Sequence, residues 1–399
     1  MKKWGVVMEE YKEMQENIAN YEIKHVNELV SGDIVLHPIY REDGLLLVNR
    51  YTMLTPLLIS KMRLHMNNNL RVLTTDTREK FTDFINSKTF ISKDFLNKLK
   101  EIVIESNKSF YSSISLEEYM SKDIKFDNKE SILTTLLISM PLWNNMESYL
   151  EGNTLKIRVE SAKEKLLEKI HSDKVLLSFI NRIKEYDDLL LMHSINTLGI
   201  SFLIGATLEL TEEELVQLGI AALFCNIGFL KYDNKVFQNY INNGEEAQLQ
   251  IEHIKASLDI LGESDYCKQK SIFYGIYDHH EHYCGGGVPN GKQGDQISLF
   301  GKILKIAVEY DDSVGGYFAN SGKISYETIS MLLDNKEGFF DNNILKVFMY
   351  RSNLYKIGKP IRISINTRGE ILGFTNFINY PNKPIIELKD GRIIDTYRK

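Results

Sequence analysis

Two adjacent imidazoles and a carboxylate, His279-His280-Glu281, lead into three glycines and then a proline within YDHHEHYCGGGVPNGKQGDQI, Tyr277 to Ile297. Imidazole is a common ligand of zinc, iron and other first-row metals, so a histidine pair is a natural start for a metal site. Glycine loses the most conformational freedom on folding, so a glycine run is costly in a merely structural segment. Gly285, Gly286 and Gly287 suit a loop that exposes backbone N–H groups as an anion nest.

The stretch resembles the signature of HD-GYP domains, bacterial metal-dependent phosphodiesterases of cyclic di-GMP, in which His-His-Glu precedes Asp-Gly-small-Gly-Tyr-Pro. His279, His280, Glu281, Gly285, Gly287, Pro289, Gly291, Gly294 and Ile297 fall on that pattern. Val288 stands in place of the tyrosine, Cys284 in place of the aspartate and His282 in place of an arginine. Upstream, His193-Ser194 matches the family's His-Ser pair, and Ala221 to Phe229 occupies the place of Leu-Leu-His-Asp-Ile-Gly-Lys. There Cys225-Asn226 replaces His-Asp, and Phe229 replaces the lysine. His253 matches the next family histidine; in ISLFGKILKIAVEYDDSVGG, Val308 replaces a metal-ligating aspartate while Asp311 keeps the second acid. The resemblance covers roughly residues 180 to 350.

In the family, the resemblance implies, the dyad aspartate bridges two metal ions and a shared hydroxide attacks the phosphodiester. Asparagine is a poor bridge between cations, valine is no ligand, and Phe229 cannot stabilise a phosphorane. The expectation is a catalytically inactive, regulatory HD-GYP-like protein. His193, His253, His279 and His280 remain on ligand positions, enough for one tetrahedral divalent ion, and Cys225 adds a thiolate that would favour zinc or iron over manganese. The alternative is four inherited histidines hydrogen-bonded in a buried polar pocket.

Phosphate recognition normally uses arginine or lysine forks. The family's cations are missing at Phe229, at His282 and in GGYFAN, 315 to 320; Lys292 and Lys302 are the nearest that remain. With Gly285, Gly286, Gly287 and Pro289 they make up the candidate ligand loop. Three functions compete: a pseudoenzyme that contacts a signalling protein, a metal-dependent cyclic di-GMP phosphodiesterase with an altered centre, and a nonhydrolytic cyclic di-GMP receptor. Metal content separates them.

The elements that must position these residues occupy a chain of 399 residues, 43% hydrophobic, long enough for two or three modules. Its net charge of −6 disfavours binding to nucleic-acid polymers and anionic membranes. Cys225, Cys267 and Cys284 are scattered without Cys-x-x-Cys spacing and read as free thiols of a reducing cytoplasm. MKKWGVVMEEYKEMQEN turns acidic too soon for a leader, and the apolar run Ile132 to Trp143 is too short to span a bilayer, so a cytoplasmic protein without membrane insertion is expected.

The fold class expected is mainly α: an HD-type helical bundle with a small α+β N-terminal module and a short C-terminal antiparallel β module. Residues 1–77 form the N-terminal module, with Asp43-Gly44 as a hairpin turn between Ile34-Val35-Leu36 and Leu45 to Val48. Thr55-Pro56 starts a helix, Asn67 to Asn69 ends it, and a strand begins at Leu70. This order is similar to the small module that often precedes HD-GYP domains, and docking or dimerisation is its expected role. Residues 78–175 read as a charged helical linker, apolar at three-four spacing in FLNKLKEIVI and IRVESAKEKLLEKI, consistent with a homodimer. Residues 176–350 are the HD-like region, where Thr211 and Glu214 form a capping box for the helix that delivers Cys225-Asn226. Residues 351–399 alternate around turns expected at Thr367-Arg368-Gly369 and Asp390-Gly391.

Overall fold

A computed structural model of the chain describes residues 22–35, 38–41, 43–49, 52–66, 71–75, 133, 137, 140–150, 152–243, 247–316, 322–351, 355–364 and 366–398. The expected linker helix in FLNKLKEIVI, the helix end at Asn67 to Asn69 and most of GGYFAN lie outside the described residues. The chain divides into two compact units, Met1–Glu130 with Ile138–Met140, and Ser131–Leu137 with Pro141–Lys399.

In the first unit, β1 (Glu22–His25) and β2 (Ile34–Val35) both pair antiparallel with β5 (Arg71–Thr75). A separate hairpin joins β3 (Ile39–Tyr40) to β4 (Leu46–Val48) across Asp43-Gly44, where Gly44 takes the positive φ of 79° that a tight turn requires. The turn is where the sequence puts it, but Ile34-Val35 is not its strand. Those residues pair instead with Thr74 and Thr75, a distant partner that no local pattern announces. Helix α1 (Pro56–His65) opens on Thr55, whose hydroxyl accepts from the Leu58 N–H at 3.2 Å.

The second unit is helical. Helices α2 (Asn153–Ser172), α3 (Lys174–Tyr186), α4 (Asp188–Thr207) and α5 (Glu212–Phe224) are followed by α6 (Asn234–Asn243), α7 (Ala247–Leu261), α8 (Lys270–Asp278) and α9 (Leu299–Gly315). Two further helices, α10 (Ser325–Asp334) and α11 (Asn342–Arg351), lead to the C-terminal strands. Acid caps set the register of two of these helices: Asp173 accepts from Val175 N–H at 2.9 Å, and Asp187 from Leu189 N–H at 2.7 Å.

Helix α4 is buried from Leu189 through Thr207, so it is the axis around which the unit packs. Its length and composition would suit a bilayer, yet it is enclosed by other helices. Close approach there depends on glycine: a Cβ on Gly205 would sit 2.7 Å from a Leu218 methyl, and one on Gly219 would sit 2.8 Å from a Leu166 methyl.

The sheet runs in the order β6 (Pro360–Ser364), β7 (Thr367–Phe374), β8 (Pro384–Leu388), β9 (Ile393–Asp395), all antiparallel, around Ile361, Ile371 and Ile386. The Asp390-Gly391 turn is as expected, but the other hairpin reverses before Thr367, and Gly369 lies within β7. A Cβ there would be 2.4 Å from the Glu387 carbonyl oxygen, so Gly369 allows two strands to approach and does not make the turn.

Candidate metal centre

The capping box at the start of α5 is formed as its sequence predicts, with Thr211 N–H donating to Glu214 at 2.8 Å and Glu214 N–H to the Thr211 hydroxyl at 3.3 Å. The helix ends at Phe224, and Cys225-Asn226 turns the chain into a short 3-10 segment, Ile227–Lys231. Ser257 of α7 clamps this turn, accepting from Gly228 N–H at 2.8 Å and donating to the Cys225 carbonyl at 2.7 Å. A Cβ on Gly228 would lie 2.0 Å from the His253 carbonyl oxygen, so only glycine lets the turn meet α7.

This contact brings Phe229 flat against His253, the ring centroids 4.7 Å apart and the planes 9° apart. His279 and His280 follow α8 directly. Ring centroids lie 5.6 Å apart for His253 and His279, 5.1 Å for His253 and His280, and 4.2 Å for His279 and His280. One ligand atom from each of these three histidines falls within 4.8 Å of the other two, a metal-sized cluster among the described residues.

Their hydrogen bonds set the tautomers. A carbonyl can only accept, so Nδ1 of His253 donates to Leu249 O at 3.1 Å and Nδ1 of His279 to Ile276 O at 2.6 Å. Each Nε2 then carries a lone pair, and both Nε2 atoms are buried without a hydrogen-bond partner. Burial holds His253 down at about 4 and, with the repulsion of His253, holds His279 down at about 3. Burial first, then the neighbouring imidazoles, pushes His280 well below its ordinary value. Three neutral imidazoles brought together, two of them with an unsatisfied Nε2, fit one divalent ion.

His193 and Cys225 are placed differently. His193 lies on α4 with Nδ1 2.9 Å from an Asp311 oxygen and 3.5 Å from an Asp312 oxygen; Asp311 in turn accepts from the Asn196 amide at 3.1 Å. His193 shares a pocket with His280 but is not in the three-histidine cluster. The Cys225 thiol is buried, 3.4 Å from the Ala222 carbonyl, and burial with the Asp312 charge pushes its pKa up to about 12. It is a thiol at neutral pH and outside the cluster.

The pocket beside His193 and His280 is lined by Leu189, Leu190, Phe229, Phe237, Tyr240, Ile241 and Val308, with Asn226 and Asp312. Neither lysine nor arginine is among these residues. Phe229 also packs on Phe237 at 5.0 Å and Tyr240 at 5.1 Å, an aromatic wall where the resemblance implies a lysine.

The glycine loop is held by its own chain. Gly285 N–H donates to the His282 carbonyl at 2.8 Å, and Val288, before a cis Pro289, donates to His280 O at 3.2 Å. Lys292 pairs with Asp278 at 2.5 Å, and Lys302 pairs with Asp295 at 3.0 Å and Asp341 at 3.3 Å, so each of these candidate cations has an internal acid partner. Sequence reasoning missed Asn196 and Ser257, which act through contacts of long separation and carry no motif, and also Asp278, which stands beside His279 within the stretch Tyr277 to Ile297.

Residues 178–344 match the HD domain family. The chain is 25% identical to the cyclic di-GMP phosphodiesterase PdeB of Borreliella burgdorferi over 211 residues, 51% of this chain and 54% of that protein. It is also 25% identical to a cyclic di-GMP phosphodiesterase of Pseudomonas aeruginosa over 202 residues, 49% of this chain and 47% of that protein. The match thus spans about half the length of these curated relatives. A solved HDG"Y"P protein of Bdellovibrio bacteriovorus aligns over 82% of this chain and 98% of its own, at a TM-score of 0.37 and 12% identity. The second unit therefore contains an HD domain, homologous to the HD-GYP cyclic di-GMP phosphodiesterases.

Proposed function

We propose that this chain is a regulatory HD-GYP-like protein of cyclic dinucleotide signalling that holds one divalent ion on His253, His279 and His280 and does not hydrolyse cyclic di-GMP. The observation that carries this reading is the Phe229 ring stacked on His253. Phe229 seals one side of the histidine cluster with an apolar wall, and Asn226 and Val308, which line the same pocket as Asp312, themselves supply no anionic ligand atom. A bound ion would supply Lewis acidity, but a second ion, needed to share a nucleophilic hydroxide, has no bridging carboxylate at Asn226. His193 lies outside the three-histidine cluster, which leaves those three imidazoles as the ligand set.

What remains is an ordered domain with a surface, and protein recognition needs only that. The partner proposed is a signalling protein. The test combines metal analysis of protein purified without chelator with product analysis on cyclic di-GMP. One equivalent of zinc, iron or manganese without linear product is the expected result. Two equivalents with turnover that His279→Ala and His280→Ala together abolish would overturn it. Tight cyclic di-GMP binding without turnover would establish the receptor function instead.

A further inference from the structure

The acids flanking the histidine pair both turn toward the glycine loop. Glu281 accepts from the N–H of Asn290 at 2.8 Å and of Lys292 at 2.9 Å. Asp278, fully buried, accepts from Lys292 Nζ at 2.5 Å and from Ser298 N–H at 2.9 Å. Lys292 is therefore gripped twice, its main chain by the acid after the histidines and its side chain by the acid before them. Its ammonium also lies over the rings of Tyr274, at 5.3 Å, and Tyr277, at 5.5 Å.

The loop between these anchors is rich in glycine and is tied by a few main-chain bonds, among them Val288 N–H to His280 O at 3.2 Å and Gly291 N–H to Gly287 O at 3.1 Å. Gly285, Gly286, Gly291 and Gly294 have positive φ, and a side chain on Gly286 or Gly294 would meet nothing within 4 Å. The loop's position must come from its ties, and Lys292 belongs to both acid ties. Without the ammonium, the buried Asp278 carboxylate keeps only one main-chain donor, and an uncompensated buried charge forces the segment to shift. That segment is the residue immediately before His279.

We infer that Lys292 is a positioning residue for the histidine centre: by tying Asp278 and Glu281 to one point of the loop, it fixes the backbone that aims His279 and His280. The inference rests on the one-ion reading above. It gives the surviving lysine a role other than holding a ligand phosphate.

Two measurements on full-length protein separate this inference from that reading. Amide hydrogen exchange at Asn290 reports the loop tie with no metal present. A cobalt(II) titration followed by visible absorbance reports the aim of the imidazoles. Lys292→Met should speed exchange at Asn290 at least about tenfold and weaken cobalt binding about 10- to 100-fold, the range typical of a lost supporting contact behind metal ligands. Lys292→Arg should recover most of both.

Should Lys292→Met fold poorly, the double variant Asp278→Asn, Lys292→Met removes the stranded charge and should still bind cobalt weakly. Unchanged exchange at Asn290 in the folded variant overturns the role of Lys292, whatever the metal result. Wild-type protein that takes up no cobalt defeats the one-ion reading, and the exchange result then decides on Lys292 alone. Faster exchange with cobalt affinity equal to wild type also overturns the inference, because the tie would then not aim the histidines.

Discussion

The ring of Phe229 lies parallel to that of His253, centroids 4.7 Å apart, and it is the same phenylalanine that packs on Phe237 and Tyr240. One side chain thus joins the histidine cluster to the apolar wall of the pocket. It is 3% exposed, so its contribution is mainly burial and ring packing.

Phe229→Ala should cost about 3–5 kcal/mol, the usual range for emptying a buried aromatic site. Phe229→Leu keeps much of the burial but loses the ring pairs, each worth about 0.5–1.5 kcal/mol. Chemical denaturation of both variants would check the order. A loss below about 1 kcal/mol for Phe229→Ala would mean that the wall is not packed as described.

Gly228→Ala should be more damaging than its size suggests, because the added Cβ would sit 2.0 Å from the His253 carbonyl oxygen and 2.6 Å from Ser257 N, both of them backbone atoms. The expected outcome is displacement of the Cys225-Asn226 turn and loss of cobalt uptake. Ser257→Ala leaves the Gly228 N–H and the Cys225 carbonyl without their clamp and should cost about 1–3 kcal/mol. Normal cobalt binding in a folded Gly228→Ala protein would contradict the close approach of the turn to α7.

How much of this was legible depends on distance along the chain. The capping box Thr211/Glu214 and the Asp43-Gly44 turn are local devices, and their residue types alone announce them. The pairing of Ile34-Val35 with Thr74-Thr75 and the bond of His193 to Asp311 join residues far apart, and no periodicity encodes them. The resemblance placed all four histidines on ligand positions. It could not show that the His193 Nδ1 faces Asp311 or that the Cys225 thiol lies outside the cluster. Gly369 misled because a glycine that admits a neighbouring strand and a glycine that makes a turn look alike in sequence.

Stability of the metal-free protein should fall with acid in a defined window. His253 and His279 are held at about 4 and about 3 in the folded chain, against an ordinary 6.5 in the unfolded one. Between those values the unfolded state binds more protons, so stability is fully present above pH 6.5 and drains as the pH falls. The slope should approach about 1.4 kcal/mol per pH unit for each histidine. Denaturation of chelator-treated protein from pH 7 to pH 5 checks this, and His253→Gln should flatten the dependence. A pH-independent midpoint over that range would show that the imidazoles are solvated.

Restoring carboxylates should expose what the pocket lacks. Val308 is 5% exposed and Asn226 6%, so Asn226→Asp with Val308→Asp introduces two acids into a buried pocket already containing Asp312. Without a cation this should destabilise the fold by several kcal/mol, because buried charges need a partner. Manganese should then recover the loss by mass action, raising the midpoint in proportion to the logarithm of its concentration. Hydrolysis should still not return: Phe229 continues to occupy the lysine position and Cys225 the histidine position of the family pattern. Cys225→His with Asn226→Asp should fail for the same reason, with Val308 and Phe229 unchanged. The decisive measurement is release of linear dinucleotide from cyclic di-GMP by each variant with manganese. Turnover by wild-type protein would show that the losses at Cys225, Asn226, Phe229 and Val308 do not abolish the chemistry; turnover by Asn226→Asp alone would show that one position, not the joint loss, controls it.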